Sequence, residues 1–263
     1  MPPALLIPHL LLRLLTPACR LALALFAALT HTGAQAGQFT VQPTRLELSA
    51  LQRSGALTLR NESPAPLSFR VQGLRWTQDA DGQERYGEAP ELVYFPRLLT
   101  LPPGEAAVIR VGVRQPPEDI ERTYRLFIEE LAAPSQTAME GARVRILMRF
   151  GAPVFVRAAA ARRQLELTDF DLQGPQARWS VRNQGTGHEL FKAITLRGIG
   201  VSGTEVFRQD LLAERYLLAG ALRRFETTVP AELCGQLTRL ALVITTEQSE
   251  VRHDLDVGAR LCP

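Results

Sequence analysis

The sequence predicts an all-β chain of two consecutive sandwiches, and three observations predict it. Short apolar–polar alternations of period two recur along the chain, which is how a half-buried strand reads. They are separated by Pro, Gly and Asn turns, and there is almost no 3.6-residue periodicity. A run of small residues and arginines, AAAARR at 158–163, divides the alternating segments into two groups and reads as a linker.

The first 36 residues stand outside this pattern. Arg13 and Arg20 precede the apolar run 21–29, and Ala34-Gln35-Ala36 offers small residues at a cleavage site. That order is expected of a secretory signal, and the run is shorter than the roughly 20 apolar residues a spanning helix needs. Export without membrane insertion of the mature chain is therefore expected. Removing 36 of 263 residues leaves 227, enough for two domains of ordinary size or one large β domain. The signal carries two positive charges, so the formal net charge of +3 falls to +1 and makes no case for nucleic acid.

In the first group, residues 39–48 alternate through Phe39, Val41, Leu46 and Leu48 around a break at Pro43-Thr44-Arg45. Residues 56–61 place Leu57 and Leu59 inward, and Asn61-Glu62-Ser63-Pro64 then turns the chain. Residues 67–76 form a third strand with Phe69, Val71, Leu74 and Trp76 inward, and Asp79-Ala80-Asp81-Gly82 is a hairpin turn. A short strand at 92–95 precedes Pro96, and the turn Leu101-Pro102-Pro103-Gly104 leads into a strand at 107–113. Residues 124–131 present Tyr124, Leu126 and Ile128 on one face; residues 132–142 are a loop. Seven or so strands in about 120 residues is an immunoglobulin-like count.

The segment 143–157, RVRILMRFGAPVFVR, closes this group. Val144, Ile146, Met148 and Phe150 fall on one face; Arg143, Arg145 and Arg149 fall on the other. Pro153 has no backbone donor, so this strand lies at an edge, a bulge or an end there. An apolar edge strand is an aggregation hazard unless something covers it.

The second group has strand signals at 165–172, 177–183, 190–196, 206–211, 222–229 and 237–246, with a turn at 183–187. The expected organisation is a signal at 1–36, one sandwich at 37–157, a linker at 158–163 and a second sandwich at 164–263. Of three cysteines, Cys19 leaves with the signal, and the even pair Cys234 and Cys262 reads as one disulfide in an oxidising compartment.

Catalytic chemistry finds no foothold. His188 and His253 are the histidines of the mature chain, and both read as surface residues. There is no metal-spaced His pair, C-x-x-C, nucleophile elbow or phosphate loop, so no metal, cofactor or enzyme activity is expected. Glu129 and Glu130 point to opposite faces of a strand and cannot share a substrate. What remains is an apolar edge-type strand with arginines nearby. Such an edge could hydrogen-bond an extended peptide, and an arginine can grip a terminal carboxylate with both arms of its fork. Packing of the strand within its own sandwich is the competing reading.

The motifs FTVQPTRLELS, LTLRNES, LPPGEAAVIRV, YRLFIEEL and VRILMRFGAPVFV in the first half resemble the PapD-like periplasmic chaperones of chaperone–usher pilus assembly. WSVRNQGTGH and YLLAGALRRFE extend the resemblance over the second half. It implies two immunoglobulin-like domains in an L-shaped arrangement, a periplasmic location, and pilin subunits and an outer-membrane usher as partners. Val144, Ile146, Met148 and Phe150 match the strand that such chaperones lend to an incomplete subunit. Arg45 matches the arginine that anchors the subunit's terminal carboxylate. The family's second anchor is a lysine, where this chain has Pro153; Lys192 is the one lysine in the sequence, so Arg149 is the nearest substitute. Glu121 and Arg157 match an interdomain ion pair. The Gly-Ala-Pro-Val-Phe-Val form looks like the spore-coat-like, Csu-type branch. The rival expectation is a secreted adhesin or carbohydrate-binding sandwich; such a module would offer exposed aromatics for sugar stacking, whereas the two tryptophans, Trp76 and Trp179, both stand at inward strand positions.

Overall fold

A computed structural model describes residues 39–79, 81–115, 119–132, 146–211 and 215–258. The interrupted first segment becomes two strands in different sheets. β1 (Phe39–Gln42) pairs antiparallel with β3 (Ser54–Asn61), whereas β2 (Leu46–Leu48) runs parallel to β10 (Arg149–Val156). Pro43 supplies no donor at the crossover, so leaving one ladder there sacrifices no hydrogen bond of its own.

The first sheet has the order β1-β3-β8-β6, with β6 at Leu92–Phe95 and β8 at Ala106–Val113. The facing sheet has the order β2-β10-β9-β4-β5; β4 is Leu67–Gln78, β5 is Glu84–Gly87 and β9 is Arg122–Leu131, and β7 (Leu98–Leu101) also pairs with β4. Alternation places Leu57, Leu59, Phe69, Ile109, Val111, Tyr124, Leu126 and Ile128 between them, each essentially without solvent exposure. At about 1.5–3 kcal/mol for each large apolar side chain buried, this face explains the choice of register.

The second sandwich joins a sheet β11-β12-β16 to a sheet β14-β13-β17-β18. The first comprises Leu165–Gln173, Gln176–Asn183 and Leu222–Thr228; the second comprises Glu205–Leu211, Glu189–Gly200, Leu237–Thr246 and Glu250–Asp256. A three-residue β15 (Arg215–Leu217) pairs with β13, and a four-residue α1 (Ala231–Cys234) precedes β17. Of these, β5, β7, β15, β18 and α1 were not legible as elements. β5 is exposed at all four positions, and β18 is an edge strand of mainly charged residues. Neither has an apolar face to show a period. Among the described residues no helix is long and apolar enough to cross a membrane.

One device occurs in both sandwiches. The fully buried Asn61 at the end of β3 donates through its side-chain amide to the carbonyls of Ala65 and Leu101, and its Oδ1 accepts the Ser63 N–H. Asn183 at the end of β12 donates to Gly187 and Leu217 and accepts from Gly185. In each case the asparagine carbonyl accepts the N–H of a left-handed glycine, Gly104 (φ 73°) or Gly220 (φ 76°). A side chain at those glycines would have to adopt a backbone that L residues avoid. The sequences NES with LPPG, and NQG with LLAG, are this device.

Trp76 is buried, but not in the first core. With Phe155 it joins the second cluster, packing on Tyr216 at 5.8 Å and on Phe155 at 6.1 Å between ring centroids. The β4 residues Leu67, Phe69 and Val71 face their own core, while the strand's far end serves the contact between sandwiches. Gln78 fastens that contact. Its Nε2 donates to the Tyr216 carbonyl at 2.9 Å and its Oε1 accepts the Leu218 N–H at 3.0 Å.

Candidate functional site

β10 pairs with β9 along its whole length, from Arg149 opposite Glu129 to Val156 opposite Arg122. On its other side β2 covers only Val154–Val156. Among the described residues β10 has a free edge between these limits, and Pro153 is the last residue on it. The missing donor therefore falls where no ladder bond is waiting, as the sequence predicts.

Ala152, Val154 and Val156 are fully buried in the first core and Phe150 packs against it. Continuing the alternation backwards reaches Met148 and Ile146, which leave the core: they are 40% and 75% exposed, and Leu147 is 46% exposed. The regular strand begins at Arg149, later than the sequence suggests, and Val144 lies outside the described residues. One bond continues the ladder, from the Glu130 N–H to the Met148 carbonyl at 2.9 Å. With β9 ending at Leu131 and, among the described residues, no strand paired on the free edge, residues 146–148 have little to hold them in a regular strand.

Arg45 immediately precedes Leu46, the residue of β2 opposite Val154, so it stands where the free edge of β10 stops. Its Nη1 donates to Glu247 Oε1 at 2.9 Å, and its Nη2 lies 3.4 Å from Glu47 Oε1. Bonds to Glu247, against the opposing effect of partial burial, and to the Tyr216 hydroxyl raise its already high pKa, so the charge is fixed. Lys192 Nζ also approaches Glu247, at 3.5 Å.

Arg149 is not brought to Arg45. Four residues along an extended strand separate it from Pro153, about 13 Å, and its guanidinium lies 3.8 Å from the Phe127 ring centroid. Glu121 and Arg157 are not joined either. Arg157 follows β10 alongside β2 and pairs with Glu47, whereas Glu121 bonds to His188. His188 corrects the surface reading: it is 4% exposed and stacks on Phe155 with 3.5 Å between centroids. The turn before it, in which the Thr186 carbonyl accepts the Glu121 N–H at 2.8 Å, carries it into the contact between sandwiches. His253 is exposed.

Trp76 and Trp179 are buried to 0% and 1% exposure and offer no platform for a sugar. Cys234 is buried and disulfide-bonded; Cys262, its expected partner, lies outside the described residues. Among the described residues no group of His, Cys, Asp or Glu could hold a metal ion.

Residues 38–161 match the family described as pili and flagellar-assembly chaperone, PapD N-terminal domain. No curated protein matches the sequence. Among solved structures, a chain of the CsuC–CsuE chaperone–tip adhesion subunit pre-assembly complex of Acinetobacter baumannii is 17% identical. That alignment covers 83% of this chain and 98% of the other, with a TM-score of 0.56. The class 5 fimbriae chaperone CfaA is 15% identical over 82% of this chain and 97% of its own, TM-score 0.53. A chain of the Salmonella enterica SafA pilin–SafB chaperone complex is 14% identical over 84% and 98%, TM-score 0.53. At these identities the likeness establishes the fold, two immunoglobulin-like sandwiches. The match over residues 38–161 places that segment in the PapD N-terminal-domain family of pili and flagellar-assembly chaperones.

Proposed function

We propose that this chain is a pilus-assembly chaperone that works in the periplasm by lending the free edge of β10 to an incomplete pilin subunit and passing that subunit to an outer-membrane usher. The observation that carries this reading is a backbone edge open as far as Arg45, preceded by exposed Ile146 and Met148. An extended subunit segment can add its hydrogen bonds along that edge. Ile146 and Met148, with Val144 before them, would enter the subunit's unfilled core. Each would contribute about 1.5–3 kcal/mol when fully buried. Arg45, charged and a third exposed, stands where the added strand would end and can offer its fork to a terminal carboxylate.

The CsuC–CsuE and SafA–SafB structures are complexes with a tip adhesion subunit and a pilin, and this supports a subunit as the partner. The family is one of chaperones, which supports a role without catalysis. The periplasmic location rests on the leader-like 1–36 segment together with that membership. The Gly-Ala-Pro-Val-Phe-Val form of β10 supports the Csu-type branch.

Co-expression with a subunit encoded beside this chain tests the reading. Ile146→Asp and Arg45→Ala are each expected to reduce the subunit recovered with the chaperone at least tenfold while the chaperone stays folded. Undiminished recovery with both variants would refute strand donation.

A further inference from the structure

Two carboxylates of the chain itself occupy the Arg45 fork: Glu247 Oε1 accepts from Nη1 at 2.9 Å, and Glu47 Oε1 lies 3.4 Å from Nη2. The two are held differently. Glu47 stands on β2 opposite Phe155 and is also bound by Arg157, so it is fixed from both sides. Glu247 stands in the turn between β17 and β18. Its N–H donates to the Leu190 carbonyl at 3.1 Å, and the neighbouring Thr246 hydroxyl accepts the Gln248 and Ser249 N–H groups. That backbone is fixed, yet the side chain has a second cation within reach, Lys192 Nζ at 3.5 Å. Lys192 is the one lysine of the sequence, and it sits where the register between β13 and β17 shifts, between Phe191 and Ala193. A bulge of this kind re-aims a side chain, here towards the carboxylate that Arg45 holds. Among the described residues three cations, Arg45, Arg157 and Lys192, thus share the two carboxylates.

We infer that Glu247 is a built-in competitor for Arg45, displaced when a subunit's terminal carboxylate arrives, and that Lys192 is the positioning residue that retains it. This rests on the capture role given to Arg45 above and adds an exchange within the chain. After exchange each cation has one carboxylate: Arg157 has Glu47, Lys192 has Glu247, and Arg45 has the incoming group. Glu247 needs only a side-chain rotation to reach Lys192, because the same oxygen already lies near both cations. Arg45 and Glu247 are both partly exposed, so the bond between them is weak enough to yield. The return of Glu247 to Arg45 offsets part of the cost of releasing the subunit, which keeps capture reversible for the hand-over.

Synthetic peptides copying the last strand of the co-expressed subunit, made as the free acid and as the C-terminal amide, test the exchange by calorimetric titration of the mature chain. The parent is expected to prefer the acid. Glu247→Gln should bind the acid about two- to fivefold more tightly, the worth of an exposed ion pair, and bind the amide as the parent does. Lys192→Gln should weaken the acid by about twofold or more in the parent background. In Glu247→Gln that effect should vanish, because the two residues act in one step. Equal or weaker binding of the acid by Glu247→Gln overturns the competitor. Weakening by Lys192→Gln that persists in Glu247→Gln means that the ammonium meets the ligand itself, and it overturns the positioning role. A parent that binds acid and amide alike rejects carboxylate capture by Arg45, and the exchange with it. Preference for the acid without a gain in Glu247→Gln rejects the exchange alone and leaves capture standing.

Discussion

Glu121 Oε1 meets His188 twice, accepting its backbone N–H at 2.9 Å and lying 2.8 Å from its ring Nδ1. Both side chains are almost wholly buried, 3% and 5% exposed, and the ring stacks on Phe155. One carboxylate oxygen thus ties the loop before β9 to the loop before β13, across the contact between sandwiches.

Removing that acceptor leaves a buried N–H and a buried ring nitrogen without their partner. Glu121→Ala is expected to cost about 2–3 kcal/mol, a fall in Tm on the order of 5–10 °C for a chain of this size. Glu121→Gln keeps a carbonyl oxygen in place and should lose less. Thermal unfolding followed by circular dichroism reads both, and a Glu121→Ala variant melting with the parent would show the bond to be dispensable.

The paired asparagines make a second prediction. Asn61→Ala and Asn183→Ala each strand buried carbonyls and one N–H, so each should cost about 2–4 kcal/mol. The sites lie in different cores and share no partner, so their effects should add. Urea unfolding of the two single variants and the double variant measures this. Strong non-additivity would mean that the two sites are energetically coupled across the contact between sandwiches.

How much was legible follows from the same residues. Strands with one buried face, such as β8 and β9, announce themselves because Ile109, Val111, Tyr124, Leu126 and Ile128 recur every second residue. Pro153 narrowed the strand there to an edge, a bulge or an end, because a missing donor cannot serve a ladder bond. Partners across long sequence distances left no such mark. Nothing around Glu121 distinguishes His188 from Arg157 as its mate, and His188 after a Gly-rich turn looks solvated until Phe155 is known to lie against it. The repeated Asn and left-handed Gly could have been found as N-x-[SG] with L-x-x-G beginning 40 or 34 residues after the Asn.

The Arg45–Glu247 pair carries a pH dependence whose direction can be worked out. The bond from Arg45 holds the Glu247 carboxyl below its ordinary value, assisted by Lys192. A carboxyl depressed by folding stabilises the folded state above its unfolded pKa, about 4.3, and that contribution disappears as pH falls through the lower folded value. Acidification from pH 6 to about 3 should therefore destabilise the parent more steeply than Glu247→Gln, which has no proton to take up at that position. Solvent reaches both partners, so screening keeps the difference small, and it should shrink further in high salt. Melting curves across that range, at low and high salt, measure the two slopes. Parallel slopes for parent and variant would mean that the pair forms without stabilising the fold, leaving Arg45 free to exchange Glu247 for an incoming carboxylate at little cost.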